Sequence, residues 1–346
     1  DGSGTLSWTA ASSGASNVNG LSDALIEDNS LYLGQDPSST TSTAEYNLSI
    51  GVTALDAITT GDANIAIGHD ALSANTTGSG NLAIGYGAYD NADTEGNNLA
   101  IGRDALGGSI NGGETNIAIG NYSLDANTSG DRNVALGYVA LTQNSTGTYN
   151  VAIGSGASQL NSSGSSNTSL GNNSMYSNTS ANYNTAIGAE ALYDISRTSD
   201  TDGYNTALGY NAGNTGTNDI TTGNKNTLLG ASTAASAAAG TNQTIIGYGA
   251  SGVANNSVTI GNSDVTAWYP GADNTADLGS SSVEFKDLYI DGTANLDAVD
   301  IDGGAIDGTA IGANSASTGA FTTITASTSV DITGSTGVIL ENDETI

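Results

Sequence analysis

A chain of 346 residues with 35 acidic side chains against 5 Lys and Arg, and so a net charge of -30, offers no basic patch for nucleic acid or an anionic membrane surface. It has no Cys, which removes disulfides and thiolate metal sites, and no apolar run of the roughly 18 residues that a membrane helix needs. Gly at 48 positions penalises helix throughout, so the expected class is all-β.

Residues 1–46 carry no repeat. Gly2–Thr9 and Leu31–Gly34 read as short strands separated by Ser/Gly-rich loop, and the segment is expected to cap the first coil of the repeats. The chain starts at Asp1 without Met and shows no signal peptide, so it is expected to be a piece of something longer.

From Asn47 to Gly261 the sequence repeats. Asn64-Ile65-Ala66-Ile67-Gly68 is followed by Asn81-Leu82-Ala83-Ile84-Gly85 and Asn98-Leu99-Ala100-Ile101-Gly102, and the glycines continue as Gly120, Gly137, Gly154, Gly171 and Gly188. The steps are 17 residues with a single 18, and outward extension from Gly51 to Gly261 gives thirteen registers. Such a period means stacked near-identical coils, here a parallel β-roll or β-solenoid. At ~4.8 Å per coil the rod is about 60 Å long.

The residue before each Gly is always Ile or Leu, and two residues earlier stands Leu, Ile or Val, then Thr from Thr168 to Thr244. This alternation predicts a short strand with the Ile/Leu line filling the inside of the tube. The intervening Ala66, Ala83 and Ala100 would then form a small outer face, open to another backbone or subunit; trimerisation around an axis would bury it. Four residues after the Gly, Leu72, Tyr89, Leu106, Leu124, Leu141, Met175 and Leu192 predict a second strand facing the first. Asn- and Gly-rich clusters such as Asn75-Thr76-Thr77-Gly78 supply turns. The Asn four before each Gly is expected to stack as an amide ladder.

The two longest coils, Gly188 to Gly209 and Gly209 to Gly230, each carry four extra residues, placed after the second strand on one edge, with Asp194, Arg197, Asp200, Asp202 and Asp219 on them. From residue 262 to 346 the pattern changes. Trp268-Tyr269-Pro270-Gly271 breaks the rod, and Leu288-Tyr289-Ile290, Val299–Gly303 and Val330–Gly334 read as short strands that bury enough only if subunits interweave in a shaft.

Ser257-Val258-Thr259-Ile260-Gly261 resembles the head repeat of YadA-like trimeric adhesins, and this likeness covers about 215 residues. It implies a homotrimer of left-handed rolls that sticks to surfaces, although the coils here are longer and neither heptad stalk nor anchor is seen. Asp273–Ser282 with Phe285-Lys286-Asp287-Leu288-Tyr289 resembles a segment of bacteriophage tail fibres, and Ile306–Gly312 and Thr318–Ile324 resemble fibre repeats of marine phages. Together they imply an adhesive virion fibre whose partners are its own copies, other virion proteins and a host cell-surface glycan or protein. A bacterial surface adhesin and a β-solenoid polysaccharide depolymerase are the alternatives.

Chemistry finds little support, and no enzyme activity, cofactor or metal is expected. His69 occupies a variable position shared with Tyr86, Arg103 and Asn121, and Asp194, Asp200 and Asp202 are the only cluster suited to glycoside cleavage. Asp297, Asp300, Asp302 and Asp307 offer oxygen ligands without an EF-hand spacing. Asn-x-Ser/Thr sequences at Asn75, Asn127, Asn144, Asn161 and Asn178 all lie seven residues after a repeat Gly, which turn geometry explains without glycosylation. Receptor contact falls to exposed tyrosines after the Gly, Tyr86, Tyr138, Tyr210 and Tyr248, and to the inserted residues Asp194, Arg197, Asp200 and Asp202. Tyr149, Tyr183 and Tyr204 form a second tyrosine line before the Asn.

Overall fold

The computed structural model describes residues 24–34, 37, 40–109, 111–196, 202–272 and 277–292. It divides into two compact units, Asp1–Tyr269 and Pro270–Ile346. The first is a parallel β-solenoid with a single fifteen-stranded sheet in which every strand pairs with its sequence neighbours.

β1 (Ala24–Glu27) and β2 (Ser30–Leu33) form an antiparallel hairpin. Asp28 and Asn29 turn it at φ 43° and 61°, the left-handed pair that a two-residue hairpin requires and that Asp and Asn tolerate. β2 then pairs in parallel with β3 (Leu48–Ile50), so the hairpin covers the first edge of the rod. Gly2–Thr9 lies outside the described residues.

The thirteen strands from β3 to β15 (Val258–Ile260) are three residues long and pair in register, Ala66 against Ala83 and Ile67 against Ile84. The inside of the tube is the reverse of the sequence expectation. Ala66, Ala83, Ala100 and their equivalents are fully buried, whereas Ile50 is 41% and Leu208 43% exposed.

The Asn four before the Gly explains the inversion. The backbone N–H of Asn64 donates to Asn47 Oδ1 at 2.8 Å, that of Asn81 to Asn64 Oδ1 at 2.9 Å, and the series runs to Gln243, whose N–H donates to Asn226 Oδ1 at 3.1 Å. Each amide also donates across the inside, as Asn64 Nδ2 does to Gly78 O at 2.9 Å. These side chains must therefore point inward, and a period of two carries Ala inward with them and sends Ile/Leu outward.

The second expected strand is a left-handed turn. Leu72, Leu106 and Leu124 have φ of 52°, 56° and 51°, and the N–H of Leu72 donates to Ala88 O in the next coil at 3.1 Å. Such a conformation costs a non-Gly residue roughly 1–2 kcal/mol. Full burial of the leucine contributes about as much in return. The turn aims Leu across a narrow tube, where only a small residue fits opposite; hence Ala.

Later coils exchange the two sizes. Gly213 takes the Leu position, and the inward strand residues become Leu228 and Ile245, both fully buried. A Cβ on Gly213 would meet Leu192 Cδ2 at 2.9 Å and Leu228 Cδ2 at 3.6 Å, so Leu228 fills the space that a side chain at 213 leaves free.

The repeat Gly has a separate reason. At Gly85, φ is 143° and an added Cβ would lie 2.3 Å from Gly102 O, so the coils stack backbone on backbone there.

The 18-residue step adjoins a buried glutamate. Glu95, buried where the coils on either side have Gly78 and Gly113, accepts from the N–H of Thr94 at 3.1 Å and, from the longer coil, from Gly112 N at 2.8 Å. The two 21-residue coils differ from each other. Ile195 and Ile220 hold equivalent buried places, as the bond from Ser196 N to Thr221 O indicates. One insertion follows Ile195 and the other, 214–219, precedes Ile220, so they leave from either side of that place rather than from one edge.

In the second unit, Leu288-Tyr289-Ile290 is not a strand, and Leu278, Phe285, Leu288 and Tyr289 are largely exposed. Three residues per strand would bury little in a single copy. The Val299–Gly303 and Val330–Gly334 segments lie outside the described residues, as do Asp297, Asp300, Asp302 and Asp307.

Candidate interaction face

The outward side of the sheet is thirteen rungs long and four columns wide. Its two central columns are the strand residues flanking the inward Ala: Leu48, Ile65 and Leu82 on to Val258 in one, Ile50, Ile67 and Ile84 on to Ile260 in the other. One flank is the residue after the Gly, the other the residue before the ladder Asn. No carboxylate occupies any of these positions in a chain whose net charge is -30. Arg103, Arg132 and Lys225, the described Lys and Arg residues of the first unit, all stand in the flanks. Acidic residues sit in the turns instead, as at Asp70, Asp90, Asp104 and Asp125.

In the flank after the Gly, His69 and Tyr86 stack at 5.3 Å and 11°. Arg103 lies 5.4 Å over Tyr86 and 6.0 Å from Tyr122, and Tyr122 meets Tyr138 edge-on at 6.3 Å. Arg103 Nε also pairs with Asp104 at 3.2 Å. Each face of Tyr86 therefore has a neighbour from the chain itself, His69 on one and Arg103 on the other, while the residue as a whole stays 53% exposed. Tyr138 has one covered side. Tyr210 and Tyr248 have no ring or cation partner among the described residues, because their column neighbours include Ala189 and Ala231, and they are exposed. Of the four predicted contact tyrosines, these two keep the open ring faces that a sugar or an apolar side chain stacks on.

On the other flank, Tyr183 and Tyr204 stack at 5.2 Å, Arg132 lies 5.4 Å over Tyr149, and Arg132 Nη1 donates to Tyr149 Oη at 3.1 Å. Tyr204 donates to Asp202 Oδ2 at 2.8 Å.

Asp194 has its pKa raised by partial burial and by Asp219. Asp219 Oδ1 in turn accepts from Gly216 N at 2.8 Å, which makes it a turn-forming group. Arg197 and Asp200 lie outside the described residues. His69 Nδ1 is 2.6 Å from Asp70 Oδ2 on the exposed edge. Among the described residues no group of three His, Cys, Asp or Glu is placed to hold a metal, and no helix is long and apolar enough to cross a membrane. In the second unit an open depression of about 600 Å³ is lined by Asp277, Leu278, Ser280, Glu284, Phe285 and Leu288.

Sequence reasoning missed the outward face itself, since it placed the Ile/Leu line inside and the Ala line outside. The parity of the Asn column was the signal that could have found it. Comparison with protein-family models, with curated proteins and with solved structures found no match to this chain.

Proposed function

We propose that the chain is a structural, adhesive fibre that works as a homotrimer, and that it serves as a phage tail fibre presenting many weak contacts to a host surface. Read from sequence alone, this idea leaned on Ile/Leu lining the tube, and that support is gone. The support now is the outward sheet face: two central columns without a carboxylate, aliphatic apart from the run from Thr168 to Thr244, while acidic residues stand in the turns.

At ~4.8 Å between coils and ~3.3 Å per residue along a strand, the two central columns cover roughly 60 by 10 Å, or about 600 Å² per copy, and leave the tyrosine flanks at the rim. That is of the order of the ~800 Å² per partner of ordinary stable interfaces. Two neighbouring copies are the matching occupants, because a stripe free of carboxylates is where chains this acidic approach without repulsion. The interface is thus the Ile/Leu face, and the Ala face proposed from sequence for that role lies inside the tube. The exposed apolar residues of 277–292 call for the same kind of cover. Avidity then comes from three parallel copies of each contact.

Light scattering on the purified chain tests the assembly: three times 34.1 kDa is expected, and a monomer with native β circular dichroism overturns it. Electron micrographs of virions labelled with antibody to the chain test the attachment role against the surface-adhesin alternative, which places the label on cells.

A further inference from the structure

The turn asparagines Asn75, Asn127, Asn144, Asn161 and Asn178, and the ladder asparagines Asn47 and Asn167, each begin an Asn-x-Ser/Thr acceptor sequence. All seven are buried at 3% exposure or less. We infer that N-glycosylation at these asparagines and closure of the coils exclude each other, so the chain reaches its fold only where they stay unmodified.

Transfer requires the Asn Nδ2 to attack C1 of a lipid-pyrophosphate-linked oligosaccharide. The C1–N bond forms as the C1–O bond breaks, the lipid pyrophosphate leaves, and one amide proton is lost. In the closed coils that nitrogen is already committed. Asn144 Nδ2 donates to Asn127 Oδ1 at 3.3 Å and to Gly147 O at 3.0 Å. Asn161 Nδ2 donates to Asn144 Oδ1 at 2.7 Å and Gly164 O at 2.9 Å, and Asn167 Nδ2 to Asn150 Oδ1 at 3.2 Å and Ala181 O at 2.8 Å. An N-linked sugar replaces one of the two amide hydrogens and so removes a rung.

Space is as decisive as bonding. A single methyl on Gly147 would sit 2.4 Å from Asn144 Oδ1 and 2.9 Å from Asn161 Nδ2, and one on Gly164 would sit 2.4 Å from Asn161 Oδ1. Where no methyl fits beside the amides, no hexose does. The same chain holds a built-in contrast: Asn121, Asn172, Asn242 and Asn255 begin acceptor sequences too and are exposed on the finished rod. The buried sites are thus folding groups that resemble modification sites, and an N-glycosylating secretory route yields chains that cannot close.

The test uses the full folded chain, a eukaryotic oligosaccharyltransferase and lipid-linked oligosaccharide, with an acceptor peptide reporting transferase activity. A second arm translates the same chain behind a secretion signal into microsomes. Glycopeptide mapping and proteinase K digestion are read in both. Expected is glycan confined to the four exposed asparagines in the folded arm, and proteinase sensitivity of every chain glycosylated at a buried asparagine in the microsomal arm. Glycan at Asn144 or Asn161 in a proteinase-resistant rod overturns the inference. Neither outcome depends on the fibre's role in attachment.

Discussion

Asn116 donates its backbone N–H to Asn98 Oδ1 at 2.8 Å across the one 18-residue coil, the same bond that joins Asn133 to Asn116 at 2.9 Å across 17 residues. The ladder therefore sets the register of the rod, and the turns absorb differences in length.

Removing a rung should be expensive. Asn133→Ala strips the acceptor from Asn150 N, 3.0 Å away, and leaves that N–H buried, while Gly147 O loses its 2.8 Å donor but keeps Asn144 Nδ2 at 3.0 Å. One unsatisfied backbone group costs about 1–3 kcal/mol. Urea denaturation should show that loss, while Ser155→Ala at the exposed surface stays within ~0.5 kcal/mol.

Gly85→Ala should interrupt the stack. Its φ of 143° and the 2.3 Å approach of Gly102 O leave no room for a methyl, and a loss on the order of 3 kcal/mol is expected. Limited proteolysis should then cut near residue 85 and leave the later coils intact.

Leu228→Ala should open a cavity opposite Gly213 and lower stability by about 2–5 kcal/mol. Adding Gly213→Ala should not restore it, because the new methyl stands at a φ of 76° and 2.9 Å from Leu192 Cδ2.

Stability should rise on mild acidification. Burial first, then Asp104, Asp70 and Asp125, push the Asp90 carboxyl up to about 6 from 3.8, and Asp125 and Asp194 shift the same way. Between those two pH values the folded state holds more protons than the unfolded one, so stability grows as pH falls from 7 through 6 toward 4. Asp90→Asn should raise the Tm at pH 7 and flatten the pH dependence relative to the native chain. An unchanged slope would remove Asp90 as its source.

Ile119→Glu should separate the copies without unfolding them, since the side chain lies on the outward columns. Light scattering should fall to the mass of one chain while circular dichroism holds. For adsorption to the host, Tyr210→Ser and Tyr248→Ser should weaken binding well beyond Tyr86→Ser, whose ring faces are covered by His69 and Arg103. Equal effects would sink the open-face argument.

The repeat, its 17-residue circumference, the strand position and the Asn ladder were legible in the sequence because each is a column of like residues. Direction was not. Ile67 and Ala66 alternate whichever one is inside, and hydrophobicity alone favours the larger; only the hydrogen-bonding role of Asn64 fixes the answer. The turn leucines misled for a related reason, since a leucine at φ 52° is uncommon and an apolar column reads naturally as strand. Covered and open tyrosines could be told apart beforehand by their column neighbours, Arg103 beside Tyr86 and Ala231 beside Tyr210. The Glu95 clasp on Gly112 left no sequence signal beyond the missing Gly and the extra residue.

The ladder bonds persist at 3.1 Å from Asn184 to Asn205 and from Asn205 to Asn226, although each of those coils is 21 residues long. The rod thus behaves as a rail of fixed gauge. Loops of new length and chemistry can be spliced beside Ile195 and Ile220 without retuning the coils on either side, so lineages can diversify what the rod touches while its skeleton stays the same.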